Sequence, residues 1–398
     1  MIFLLSLLWP MGAYIYSLRD VRTKGFVVAS LFMAIMLGLT VEVYAFSGYN
    51  SDIIRNLQRA ADAQYYTWIQ IFLEKDFFLS VSGKLLCMIS DNLRFLAVCY
   101  YILYTILFLL GFRIIIQKYE QHRVPKYFIY ALFLITPFTF FNSLRFAFGT
   151  FYFIWCMLEI FFNQRKLFYG LILLTLIFHF SFFILLPLPF LYFYLKNKIK
   201  IVWCIFIMSL IFQTASTSTM INKFAENNLS KSVSSTVSIY ASEDGRETMI
   251  ANYEDASKKG NDNRKVSRFL VDVRAYVIMS GVVLLSLLLY RKNHKDKKAT
   301  SYFTLIILLF SLANIVASAS NGERFYHVTS LFSLYMLFAF LMEDGAIKIY
   351  HKYKYIFNTL FIVGILYGVV FIYISRIGYS FIELFFSNVI FTVIGNII

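Results

Sequence analysis

The sequence predicts an all-α, polytopic integral membrane protein with about ten to thirteen transmembrane or re-entrant helices and one large outer (periplasmic) loop. Three observations carry that expectation. The 398 residues are 60% hydrophobic and only 15% charged, against about 25% charged in an average soluble domain, and the mean hydropathy is +0.68. Apolar runs of bilayer-spanning length, ~18–25 residues, recur along the chain. Short loops rich in Lys and Arg alternate with loops that are not.

Residues 2–17 form an apolar run with no basic leader and no small-residue cleavage pattern, and are read as an uncleaved first span. A second span is expected at 25–46. Residues 47–92 mix polar groups (Asp52, Arg55, Arg59, Asp62, Tyr65, Tyr66, Trp68) with a half-apolar patch at 69–89. That mixture predicts a loop with helices lying on the bilayer, apolar face down. Further spans are expected at 93–116, 127–141 and 144–162. The 29-residue run 167–195 follows, with His179 near its centre and Pro187 and Pro189 later. One helix of that length would be about 43 Å long against a hydrocarbon core of about 30 Å, so a broken or re-entrant pair bending near His179 is expected. Irregular backbone at membrane depth is tolerated where it faces protein or a wet cavity.

Residues 201–214 read as a span, and 215–272 as the longest polar segment. Its eight cations and eight anions cancel. Spans are expected again at 273–290, 301–318, 325–342, 356–374 and 381–396. No internal repeat is visible, so residues 1–398 read as a single polytopic membrane domain with outer loops 47–92 and 215–272.

Basic loops stay cytoplasmic. Those at 18–24, 117–126, 163–166, 196–200, 291–298 and 348–354 therefore set the inner face, and the net charge of +15 is mostly that face. It reports topology rather than nucleic-acid binding. Asp52, Arg55, Asn142, Arg145, the large loop and Arg324 then fall on the outer side, with His179 reaching toward it.

The four cysteines (Cys87, Cys99, Cys156, Cys204) form no C-x-x-C pair. Cys99, Cys156 and Cys204 sit in apolar runs and read as buried small hydrophobes. No H-E-x-x-H, nucleotide-binding glycine pattern or D-x-D occurs, which argues against metalloprotease, ATPase and metal-dependent nucleotide-sugar transferase chemistry.

Polar groups in or at the rim of a span are costly and point to function. Arg145 and Arg324 stand at the mouths of spans, with Arg55, Arg246 and Arg268 as further outer-side cations. Guanidinium pairs bidentately with phosphate oxygens and stabilises charge on a leaving phosphate, whereas an arginine at a span end also snorkels to headgroups without further purpose. His179 is the one histidine of five embedded in an apolar stretch. It suits proton transfer near neutral pH, substrate contact, or a plain hydrogen bond to a neighbouring helix. Asp52, Asp62 and Glu323 are outer-side carboxylates, and Glu42 and Glu159 lie in spans. Together these describe a membrane enzyme acting on a charged, lipid-linked substrate.

Asn142-Ser-Leu-Arg145 opening a span, His179-Phe-Ser181 in a broken run, and Asn321-Gly-Glu-Arg324-Phe-Tyr326 opening a late span resemble the EpsG-like branch of Wzy-type polysaccharide polymerases. That family shows N-x-x-R, H-x-S and R-Y/F-x-x-Y/H near outer span ends, and an acidic residue followed by Tyr in the first outer loop. Asp52 or Asp62 (with Tyr66 four residues on) fills that last position here, and Phe146 replaces the Gln that often follows the Arg. The order and placement agree over about residues 50–330. The resemblance implies a metal-independent glycosyltransferase, without cofactor, that joins undecaprenyl-pyrophosphate-linked oligosaccharide repeat units. A hydroxyl of one unit attacks the anomeric carbon of the growing chain, and undecaprenyl pyrophosphate leaves. It further implies His179 and Asp52 as catalytic residues, and Asn142, Arg145, Arg324, Arg55, Tyr66 and Tyr326 as substrate contacts. The partners it implies are the lipid-linked donor and acceptor, membrane lipid, a chain-length regulator and a flippase.

An O-antigen ligase or another polyprenyl-phosphate-dependent transferase would share the topology and an Arg/His site. A lipid-linked glycan transporter would show deeper charges and repeat symmetry, and a membrane acyltransferase would take its donor from the cytoplasmic side.

Overall fold

The described residues of the computed structural model are 1–40, 52–74, 77–119, 144–211, 297–317 and 324–342, with 352, 354, 355, 359 and 388–390. All their regular structure is helical, and no strand occurs among them. Two helices, Leu93–Lys118 and Leu144–Asn163, are long and apolar enough to cross a membrane. Met1–Leu186 with Phe361–Ile398 form one compact unit and Pro187–Leu360 a second.

The first unit opens with two short helices, α1 (Ile2–Leu8) and α2 (Pro10–Ser17), where the sequence led us to expect one span. Pro10 supplies no N–H and disfavours helical torsions at the residue before it. Trp9 accordingly sits at φ −150°, ψ 79°. The two pieces pack on α3 (Lys24–Thr40) and on each other. The expected span 25–46 is described only to Thr40.

The segment expected to lie on a bilayer forms α4 (Asp52–Asp62), α5 (Trp68–Leu73) and α6 (Phe78–Cys87). Ile53, Ile54, Leu57 and Ala60 are buried along one side of α4, and Arg55, Gln58 and Asp62 are exposed on the other. Thr67 and Gln70 close a reciprocal capping box at the start of α5, which fixes the chain's entry into a helix of only six residues. Tyr65, Trp68, Ile69, Phe72 and Leu73 nevertheless stay exposed.

Two long helices form the scaffold, α7 (Leu93–Lys118) and α8 (Leu144–Asn163). α7 runs antiparallel to α3, with Phe26 against Phe112 at one end and Gly38 against Val98 at the other. A Cβ on Gly38 would lie 2.4 Å from the Val98 Cα, so the glycine sets how closely the two backbones approach. α7 runs parallel to α8: Tyr104 meets Phe148 and Phe151, Phe108 meets Phe151, and Lys118 Nζ donates to the Phe162 carbonyl. The expected span 127–141 lies outside the described residues.

The run 167–195 is broken, as its length required. It consists of α9 (Leu167–Leu171), a 3-10 turn at Ile172–Leu174, α10 (Thr175–Phe178), a 3-10 stretch at Phe180–Leu185, and α11 (Leu188–Leu195). His179 lies between the pieces at φ −157°, ψ 117°.

In the second unit α11 leads into α12 (Ile199–Ile211). An antiparallel pair follows, α13 (Lys297–Ala317) and α14 (Arg324–Leu341), in which Tyr302 and Phe303 pack on Phe340. Ser209 and Asn314 meet near the C-terminal ends of α12 and α13, and Tyr192 bonds Ser301 near the start of α13, so this pair runs parallel. Of the three cysteines expected to be buried, Cys156 is, Cys99 is half-buried and Cys204 is exposed, because the apolar residues around Cys204 face outward too. The segments 212–296, 318–323 and 343–350 lie outside the described residues, and with them Arg246, Arg268, Glu323 and the expected span 273–290. Residues 356–374 and 381–396 are described only at 359 and 388–390.

Candidate functional site

After Asn163 the chain climbs back along α8. Phe168 packs on Trp155, the Tyr152 hydroxyl donates to the Leu171 carbonyl at 3.2 Å, and Phe178 stacks near Phe148. The climb ends with the ring of His179 edge-on to Phe146, centroids 5.6 Å apart. Phe146 directly follows Arg145 in the first turn of α8, so the break delivers the histidine to the arginine's end of the helix. Phe182 fastens the chain beyond it. Its ring lies where a Cβ on Gly149 would come to 2.6 Å, and it also packs on Phe146.

The break is stabilised by His179 itself. Its Nδ1 accepts from the Ser181 backbone N–H at 3.3 Å and meets the Ser181 hydroxyl at 2.8 Å. Such a local side-chain acceptor competes with continued helix and starts a new turn instead. Because an amide can only donate, Nδ1 is the acceptor atom, and the neutral ring carries its proton on Nε2.

A second group of polar residues was not singled out from the sequence. Glu74, in the turn between α5 and α6, accepts at Oε2 from Arg59 Nη2 on α4 at 2.8 Å and from the Ser80 hydroxyl on α6. Arg59 and Glu74 side chains are 30% and 24% exposed, so the pair is neither dry nor fully screened. Burial pushes the Glu74 carboxyl up. The hydrogen bonds from Ser80 and Arg59 and the charges of Arg59 and Arg145 outweigh it, so the carboxyl is held below the usual glutamate value. The influence of Arg145 ties this cluster to the start of α8. Phe78 gives the same link in apolar form, packing on both Phe148 and Phe178, the latter beside His179. The sequence signal for Glu74 was faint: a short charged interruption, Glu74-Lys-Asp76, between two apolar stretches.

Arg94 joins the same end of the first unit, since α7 and α8 run parallel and Arg94 lies in the first turn of α7. Its Nε is buried without a hydrogen-bond partner, an unmet donor in a strongly hydrogen-bonding group. The opposite end collects the basic connections. Arg22 donates to the Tyr119 carbonyl, Lys118 to that of Phe162, and Arg165 pairs with Glu159 at 3.5 Å. Glu159 also accepts from Asn163 at 2.7 Å, which makes it a local tie at the end of α8, about 21 Å from Arg145.

The other expected site residues are distributed as follows. Asp52 is the first residue of α4, and its side chain lies outside the described residues, as does Asn142. Arg55 is exposed on α4 and Asp62 at its end; Tyr66 is exposed, with its carbonyl accepting from Lys84 Nζ. In the second unit Arg324 begins α14. Tyr326 is buried, and its hydroxyl donates to Asn314 Oδ1 at 2.8 Å while Asn314 donates to the Ser209 hydroxyl at 3.1 Å. That bond gives the tyrosine a role in joining α12, α13 and α14. Among the described residues no group of three His, Cys, Asp or Glu is arranged to hold a metal ion.

Comparison with protein-family models, with curated proteins and with solved structures found no match for this chain.

Proposed function

We propose that this chain is a multi-pass inner-membrane glycosyltransferase that polymerises undecaprenyl-pyrophosphate-linked oligosaccharide repeat units on the outer face. The observation that carries the reading is the arrival of His179 against Phe146, the residue after Arg145, at the end of α8 remote from the basic connections. A cationic anion-binding group and a ring able to hydrogen-bond a sugar then share one end of the bundle, as transfer from a pyrophosphate requires.

Two kinds of observation support the membrane part. α7 and α8 run parallel, as do α12 and α13, so neither pair can be consecutive passes. The sequence assigns one further span between the partners of each pair, at 127–141 and at 273–290. The exposed apolar side chains of α5, with Leu85, Met88 and Ile89 after it, form the kind of surface that a helix lying in the headgroup region buries in lipid. The positive-inside rule then puts Arg22, Lys118 and Arg165 at the cytoplasm and Arg59, Glu74, Arg94 and Arg145 outside.

In this reading Arg145 holds pyrophosphate and neutralises the charge that develops as it leaves, and His179 binds a hydroxyl or ring oxygen nearby. The test is a polysaccharide length profile by gel in a deletion strain complemented with wild type, Arg145→Ala or His179→Ala at matched expression. Polymerase function predicts a single repeat unit in the deletion strain and a ladder with wild type alone. Loss of even the single unit on deletion would move the protein to an earlier step or to ligation.

A further inference from the structure

We propose that Glu74 is the proton acceptor of the transfer, held at Oε2 by Arg59 and Ser80 with Oε1 turned to the attacking hydroxyl, while His179 donates a hydrogen bond. The inference rests on the glycosyl-transfer reading above and names which groups carry its proton.

The geometry divides the two roles. His179 spends Nδ1 on Ser181, so its neutral ring offers a proton from Nε2 and has no second lone pair for a base. Glu74 is oriented in the opposite sense. Both of its donors land on one oxygen, and among the described residues no donor reaches Oε1. The other carboxylates at this end with described side chains, Asp62 and Asp91, are exposed, and Glu159 is tied to Asn163 and Arg165 at the far end of α8. Among the described residues, the charged groups acting on Glu74 are Arg59 from α4 and Arg145 from α8, both cationic. They keep it ionised and ready to accept, and Arg145 links it to the pyrophosphate it would work beside. Ser80 sits in the first turn of α6, where the helix N-terminus adds to the attraction for a carboxylate.

The step balances. The acceptor hydroxyl oxygen bonds to the anomeric carbon, and its proton passes to Glu74 Oε1. The bond from the anomeric carbon to the pyrophosphate oxygen breaks, and its electron pair leaves with undecaprenyl pyrophosphate against Arg145. The proton on Glu74 then returns to water. A carboxylate of low basicity suffices, because a hydroxyl acidifies as it bonds to an oxocarbenium-like carbon. Inverting glycosidases use carboxylate bases in the same way.

The test uses the purified full chain in nanodiscs and lipid-linked repeat units extracted from the deletion strain. Chain-extension rate and repeat-unit binding are measured for wild type, Glu74→Gln, Glu74→Asp and Ser80→Ala. We expect Glu74→Gln to lower the rate by about 10²-fold or more with binding within threefold of wild type, and Glu74→Asp to recover part of the loss. Ser80→Ala removes a hydrogen bond to the ionised form, so the acid limb of the pH–rate profile moves to higher pH, which a merely structural serine would not cause. Extension by Glu74→Gln within threefold of wild type overturns the inference and leaves the polymerase reading intact. Wild-type protein that binds but does not extend the units overturns that reading and the inference with it. Should Glu74→Gln not fold, the Ser80→Ala profile decides alone: a shifted limb supports the inference and an unmoved one overturns it.

Discussion

His179 Nδ1 accepts from the backbone N–H of Ser181, two residues on, and so the residue expected to do chemistry also builds the turn that positions it. The two roles separate by substitution. His179→Asn keeps a short side-chain acceptor where Asn caps well, whereas His179→Ala removes it at a cost of about 1 kcal/mol. The expected result is near-wild-type thermal stability for the Asn variant, a lower melting temperature for Ala, and loss of the polysaccharide ladder in both. A ladder retained by His179→Asn would leave the histidine as a cap alone.

Gly83 fixes the distance between α4, which carries Arg59, and α6, which carries Ser80, the two donors to Glu74. A Cβ there would come to 2.2 Å from the Ala60 carbonyl oxygen and 2.7 Å from its Cα, both backbone atoms of α4 that cannot rotate aside. Gly83→Ala must push α4 from α6, costing about 1–3 kcal/mol by overpacking and drawing Arg59 from Glu74. Gly170 is the control, since nothing lies within 4 Å of the Cβ it would gain. Gly170→Ala on a helix is expected to be neutral or stabilising by up to about 1 kcal/mol. Thermal unfolding in one detergent compares the two.

What the sequence disclosed follows the range of the interactions involved. The break at His179 was legible because a polar residue in a run too long for one span is a local signal, and the helices at 93–118, 144–163, 297–317 and 324–341 fall within a few residues of the expected spans. The division of residues 2–17 was also local, written in Pro10, but a hydropathy window averages over it. Glu74 was not legible. Its partners come from Arg59, fifteen residues earlier on another helix, and from Arg145, seventy-one later, and no spacing rule joins them. The bond of Tyr326 was not legible either. A tyrosine after an arginine at a span mouth reads as a contact for ligand, and nothing in that local pattern announces the hydrogen bond its hydroxyl makes to Asn314, twelve residues earlier on another helix.

That inward bond gives a prediction for the second unit. Tyr326→Phe removes the donor and leaves Asn314 Oδ1 buried without it, a loss of about 1–3 kcal/mol. If the bond serves only to join the helices, the melting temperature falls and the rate of chain extension at a permissive temperature holds. A loss of extension with stability unchanged would instead return Tyr326 to the substrate.

Glu74 sets an acid sensitivity whose sign follows from its neighbours. Its folded-state pKa lies below the ordinary value of 4.5, so the unfolded chain binds the proton more tightly. The stabilisation is therefore fully present above about pH 4.5 and is lost as the pH falls from there through the lowered folded value. Glu74→Gln has no charge to titrate. The gap in melting temperature between wild type and Glu74→Gln should be widest at neutral pH and narrow on acidification through that window. Added salt should narrow it as well, since the pair with Arg59 is partly exposed and open to screening. A gap independent of pH would mean that the carboxylate gains nothing from Arg59 and Arg145, and that the arginines at this end are not assembled around it.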